Sequence, residues 1–206
     1  MAYIFGYPEG TVMPNGNMTR AEAAAMISRL KNYPLADSSE PKFTDTPSGW
    51  YNAVINAVVK AGVMKGYPDG SFKPQNPITR GEFAQMLMPI DVNKSGTAPF
   101  DDVKGHWAEK AINQAYANGR IQGYPDGTFK PNNPITRAEA ATILNRMFER
   151  KVTEEGMRKH RNEIHKFTDL TTEHWGYYEL VEAANSHVYV RMRKGAIDER
   201  WIELIK

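Results

Sequence analysis

Three arginines occupy a helix position that ordinarily favours the opposite charge. Arg20, Arg80 and Arg137 each follow a threonine and stand two residues ahead of a glutamate, in the series Thr19 and Glu22, Thr79 and Glu82, and Thr136 and Glu139. Threonine with glutamate three places later, ahead of an apolar run, is a capping box: the hydroxyl accepts from the N3 amide and the carboxylate reaches back to the cap amide. Such a cap stabilises a helix by ~1 kcal/mol, which gives the threonines and glutamates a structural role. It leaves the arginines unexplained, because the positive end of the helix dipole favours an anion at the first turn. A guanidinium beside the open amides of a helix start is suited to a carboxylate or a phosphate. The alternative is an internal salt bridge to Asp45, Asp102 or Asp169, and both hold if an aspartate orients the arginine.

Aromatic and glycine residues recur beside these groups. Trp50, Trp107 and Trp175 could stack on pyranose rings, or they could be core residues opening amphipathic helices. Gly66 and Gly123 most simply supply special backbone angles, with close approach of a ligand as a second use. Asp69 and Asp126 are expected to make turn bonds.

Other chemistries find little support. The chain has no cysteine, which removes disulfides, thiol catalysis and cysteine-based zinc sites. Its five histidines form no HExxH grouping, and no GxSxG, P-loop or dinucleotide fingerprint is present. Asp91, Asn93 and Ser95, with Asp102 in the twelfth place, echo a calcium loop. The closing glutamate is missing and Pro89 interrupts the preceding helix, so the segment reads as a linker. No cofactor and no metal are expected. A glycan hydrolase would need a carboxylate pair across a cleft, and nothing singles one out. A net charge of +2 over 206 residues argues against a nucleic-acid partner. No apolar run approaches the ~20 residues of a membrane span, so no membrane insertion is expected. The start at Met1-Ala2-Tyr3-Ile4 lacks a secretion signal. A chain of this kind working outside the cell would be a piece of a longer exported protein.

The elements that must position these residues are repeated. Gly-Tyr-Pro-acidic-Gly occurs at 6–10, 66–70 and 123–127, and the interval from its first glycine to the arginine is identical each time. Phe-x-Asp followed by tryptophan begins at Phe43, Phe100 and Phe167. The phase gives the back half of a unit at 1–35, whole units at 43–90 and 100–149, a charged linker at 150–166, and a front half with a tail at 167–206. Apolar residues at helical spacing (Val54, Ile55 and Val58; Phe83, Met86 and Leu87) flank a loop dense in Gly, Pro, Asp and Asn. Gly62 and Gly119 are placed to stop helices. Each unit is thus helix, ordered loop, helix, and the expected fold is mainly α, with the terminal halves closing a pseudo-threefold ring. The linker is expected to be solvated.

The repeated string resembles S-layer homology domains. It is carried by Phe100-Asp-Asp-Val, His106-Trp107, the run from Gly123 through Phe129-Lys130-Pro131, and Ile135-Thr-Arg-Ala-Glu-Ala. The closing Ala184-Asn-Ser-His187, with Trp201 downstream, resembles the end of permuted three-repeat modules of clostridial-type surface proteins. The resemblance implies a pseudo-trimer of three repeats on the bacterial cell surface. It also implies binding to a secondary cell-wall polymer attached to peptidoglycan, often pyruvylated, in grooves between repeats, with the arginine holding the acidic group. Arg20, Arg80, Arg137, Asp45, Asp102, Asp169, Trp50, Trp107, Trp175, Gly66 and Gly123 are then the candidate carbohydrate-binding residues. Met13 stands where the other copies have Lys73 and Lys130, so its groove is expected to be less basic. A protein–protein assembly module, with other surface-layer proteins as partners, is the alternative reading.

Overall fold

A computed structural model describes residues 1–205. In chain order the elements are α1 (Arg20–Leu30), α2 (Asn52–Lys60), α3 (Arg80–Leu87), α4 (Glu109–Ala117), α5 (Arg137–Met147), β1 (Lys151–Val152), α6 (Glu154–Met157), α7 (Tyr177–Ala184), β2 (His187–Arg191) and β3 (Asp198–Leu204). Both halves of the capping box form at the starts of α1, α3 and α5, as the threonine and glutamate spacing requires. Helices α2 and α4 end at Gly62 and Gly119, each with φ of +70°, so the following amides fold back onto the last turn.

The chain divides into two compact units, Asn17–Ile135 and Met1–Gly16 with the chain from Thr136 onward. In the first, α1 packs on α2 and α3 on α4. A capped helix therefore packs mainly on the tryptophan-led helix that follows it, rather than on the one across the Gly-Tyr-Pro loop. This unit also contains a closed cycle of backbone bonds. Ile78 N–H donates to Met18 O (2.8 Å), Ile135 N–H to Ile78 O (3.0 Å) and Met18 N–H to Ile135 O (3.0 Å). All three side chains are fully buried. One residue from each copy thus satisfies its neighbour's polar backbone inside an apolar centre.

In the second unit α5 packs on α7, and the chain's first residues lie against both. Tyr3 N–H donates to Ala183 O (2.8 Å) and Tyr3 Oη to Asn145 Oδ1 (2.6 Å). The Phe167 half-unit meets the Gly6 half-unit as the equivalent segments meet elsewhere. Thr168 N–H donates to Gly10 O at 3.0 Å, as Thr44 N–H does to Gly70 O at 3.0 Å.

The segment after α5 departs from the solvated linker expected for 150–166. It contributes β1 to a three-stranded sheet of order β1-β3-β2, parallel between β1 and β3 and antiparallel between β2 and β3. Val152, Met157 and Ile164 are buried with Val181 and Trp201. Its few apolar residues all point inward while its Lys, Arg and Glu side chains, apart from the half-buried Arg150, stay outside, so average polarity masked a small core.

Candidate anion-binding sites

Each arginine is inserted into a Gly-Tyr-Pro loop. In the first unit Arg20 donates from Nε to Phe72 O (2.7 Å) and from Nη2 to Lys65 O (3.0 Å), and pairs through Nη1 with Glu82 (3.2 Å). Its guanidinium lies 4.6 Å from the Tyr67 ring centre. Arg80 donates from Nε to Phe129 O (2.8 Å), 4.7 Å from the Tyr124 ring. In the second unit Arg137 donates from Nε to Val12 O (2.7 Å) and from Nη2 to Phe5 O (2.7 Å), 4.9 Å from the Tyr7 ring. The arginines are only 3–5% exposed.

The helix starts are closed as well. The amides of Arg20 and Ala21 donate to Asn76 O and Pro74 O, those of Arg80 and Gly81 to Asn133 O and Pro131 O, and those of Arg137 and Ala138 to Gly16 O and Pro14 O, all at 2.8–3.0 Å. The open helix-start amides inferred from sequence are therefore filled by loop carbonyls.

The aspartates are not the arginines' salt-bridge partners. Asp45 accepts the backbone N–H groups of Phe72 (2.7 Å) and Lys73 (2.8 Å), Asp102 those of Phe129 (3.0 Å) and Lys130 (2.7 Å), and Asp169 those of Val12 (2.8 Å) and Met13 (2.7 Å). Each carboxylate thus fixes a loop residue with positive φ: 55° at Lys73, 56° at Lys130 and 49° at Met13. Non-glycine residues held there are strained. Gly66 and Gly123 do not have the special angles expected of them. A Cβ at either would instead collide with the ring of Phe43 or Phe100, so glycine serves close packing.

Glu82 does more than cap. One oxygen accepts the Thr79 amide (2.8 Å), and the other accepts from Arg20 and from Tyr67 Oη. Burial, reinforced by this bond to a carboxylate, pushes the Tyr67 phenol up to about 12. Asp69 and Asp126 make the expected turn bonds, to Ser71 and Thr128. The Thr128 hydroxyl and amide hold the Asp126 carboxyl down at about 2.

What faces solvent is a different set of groups. Trp50, Trp107 and Trp175 are 59–62% exposed, which overturns their alternative reading as core. They precede rather than begin their helices, so the helical stripe does not turn them inward. Lys73 and Lys130 place Nζ 4.3 Å from the Tyr67 ring and 4.5 Å from the Tyr124 ring. His106 contacts Asn132 Oδ1 at 2.9 Å, and His174 contacts Asn15 Oδ1 at 3.0 Å. The tyrosines and asparagines were missed as site residues, although each stands inside the repeated string, whereas His106 and His174, each preceding a tryptophan within the repeat, are readable from it as structural or groove residues.

One further polar cluster lies in the second unit. Glu182, His187 and Glu199 bring ligand-type atoms within 4.8 Å of one another. Arg150 (3.0 Å from Glu182) and Arg191 (3.4 Å from Glu199) compensate the carboxylates. A divalent cation would leave this buried group with excess positive charge, so the cluster fits an ion network. The calcium-loop echo is likewise absorbed: Asp91 pairs with Arg120 at 3.0 Å, and Asp102 is spent on loop amides.

A family model described as the S-layer homology domain matches residues 2–24, 42–84 and 99–141. Cell surface glycoprotein 1 of Acetivibrio thermocellus is 34% identical over 92% of this chain and 9% of its own length. A cellulosome-anchoring protein of the same organism is 34% identical over 91% of this chain and 43% of its own. An S-layer protein of Bacillus licheniformis is 36% identical over 68% of this chain and 17% of its own. The chain spans less than half the length of each of these relatives.

Proposed function

The chain belongs to the S-layer homology domain family, and from that membership we propose that it is a non-covalent anchor, holding a larger surface protein to the bacterial cell wall by binding an anionic, pyruvate-bearing secondary wall polymer. The observation that carries this reading is the threefold exposure of a tryptophan on a rigid frame. A ring system of this size ordinarily buries some 150–250 Å². A pyranose face would cover it, while Lys73 and Lys130 would meet an acidic substituent beside it. The arginines act from beneath, fixing the loop that carries the donors. The cellulosome-anchoring protein bears a name of the same sense, and cell surface glycoprotein 1 is named for the same location. The pseudo-threefold arrangement belongs to this reading and is supported by the cycle through Met18, Ile78 and Ile135. Three sites on one chain would add avidity on a repeating polymer, and no bond is made or broken.

The test is co-sedimentation with wall sacculi that retain their acid-extractable polymer and with sacculi stripped of it. Wild type is compared with Trp50→Ala/Trp107→Ala/Trp175→Ala. Binding that needs both polymer and tryptophans is expected. Equal binding to stripped sacculi would favour protein assembly, for which the exposed Val188, Tyr189 and Val190 on β2 offer a surface.

A further inference from the structure

The three sites share a frame but not the same donors. At the Arg20 site the cation is Lys73, while Gly49 and Gln75 stand where the other copies have a histidine and an asparagine. At the Arg137 site His174 and Asn15 are present, and Met13 replaces the lysine. Only the Arg80 site, of the three, has both Lys130 and the pair His106 and Asn132.

The pair has a defined polarity. His106 Nδ1 accepts the backbone N–H of Ala108 (3.1 Å), so the ring proton sits on Nε2 and is donated to Asn132 Oδ1 (2.9 Å). The asparagine is thereby oriented with its carbonyl inward and its Nδ2 donors outward. In the second unit His174 accepts from Gly176 N–H (3.0 Å) and orients Asn15 the same way. Lys130 and Asn132 flank a single proline in one loop, which a turn bond from Asn133 N–H to Lys130 O closes at 3.1 Å. The Lys130 ammonium is held 3.1 Å from Asp126 Oδ2 and over the Tyr124 ring, and its remaining donors, with the Asn132 amide of the same loop, suit the oxygens of a carboxylate. His106 and Trp107 also line an open cleft of about 480 Å³ shared with Lys94, Lys110 and Glu109, whose charges leave one net positive charge beside the same tryptophan.

We propose that the sites are graded: the Arg80 site, through Lys130 and the His106-oriented Asn132, is the primary site for an acidic sugar, and Met13 makes the Arg137 site the least selective for charge. This rests on the glycan reading above and specifies which site of the chain carries it.

The four tryptophans allow each site to be read separately, because one lies at each site and Trp201 is buried apart from them. Acid-extracted polymer from Acetivibrio thermocellus walls would be titrated into the whole chain while the four indole N–H resonances are followed. Trp107 is expected to saturate at the lowest concentration. Lys130→Met should raise that concentration by about three-fold and Met13→Lys should lower that of Trp175 by a similar factor, the range expected of one exposed charge. Simultaneous saturation of Trp50, Trp107 and Trp175, with both variants silent, would overturn the grading and leave the anchor reading standing. If none of the three exposed indoles moves, the glycan reading itself falls and takes the grading with it.

Discussion

Asp45 accepts the backbone N–H of Lys73 at 2.8 Å while Lys73 sits at φ +55°. A carboxylate about half a repeat away thus holds a strained residue in the conformation that lays its ammonium group over the Tyr67 ring. The same relation recurs between Asp102 and Lys130, and between Asp169 and Met13. These amide bonds from a distant carboxylate act together with the loop's own turn bonds, such as Asp69 to Ser71 and Asp126 to Thr128.

Asp45→Ala should therefore cost stability through two lost charge-assisted bonds. With bonds to charged groups contributing about 1.5–3 kcal/mol each and partial rescue of the freed amides by water, we expect about 2–3 kcal/mol. Urea unfolding of the variant measures it. A loss under about 0.5 kcal/mol, the range of an ordinary surface change, would mean the loop holds itself.

Within the Thr79 and Glu82 box, the two residues should differ in weight. Thr79→Ala removes a cap and should cost about 1 kcal/mol. Glu82→Ala also strands Arg20, whose side chain is 6% exposed, and should cost about 3 kcal/mol or more. Thermal unfolding of the two single variants compares them directly. Equal losses would show that the ion pair adds nothing beyond the cap.

Much of this frame was legible in the sequence, and the divide follows physical range. The capping boxes at Thr19, Thr79 and Thr136 are local patterns, as are the stops at Gly62 and Gly119. Their spacing states their geometry. The aspartates were visible as repeated residues, but their partners lie 27 or more positions away or at the opposite end of the chain. Periodicity could not distinguish an amide from a guanidinium at that distance. The outward turn of Trp50, Trp107 and Trp175 was hidden because each is adjacent to an apolar helical stripe without belonging to it. The sheet formed by β1, β2 and β3 was hidden because only β1 lies in the charged segment and its core needs Trp201 from the tail.

Alkaline pH should weaken the fold through Tyr67. Its phenol ionises near 10 when unfolded and at about 12 when folded. Between those values the native state holds a proton that the unfolded chain has released. Stability is thus full below pH 10 and falls as pH rises through the folded value. Tyr67→Phe should flatten the fall. Denaturant midpoints of wild type and variant, taken across that range, check this, and parallel curves would exclude the phenol as the source.

The exposed and buried tryptophans should separate binding from stability. Trp107 projects into solvent, so Trp107→Ala removes little packing and should change unfolding free energy by no more than about 0.5 kcal/mol. Trp201 is 1% exposed and stacks on His187 with ring centres 4.3 Å apart. Its loss opens a cavity in the small second core, and Trp201→Ala should cost about 3–5 kcal/mol. Polymer binding should show the reverse order, with Trp107→Ala impaired and folded Trp201→Phe retaining wild-type affinity. The pair of measurements is co-sedimentation with polymer-bearing sacculi and urea unfolding of the same preparations. If Trp107→Ala is as destabilised as Trp201→Ala, the indole is a packing residue after all and its exposure carries no functional meaning. If it is stable and binds undiminished, the ring is idle at this site and the sugar platform must be sought elsewhere on the chain.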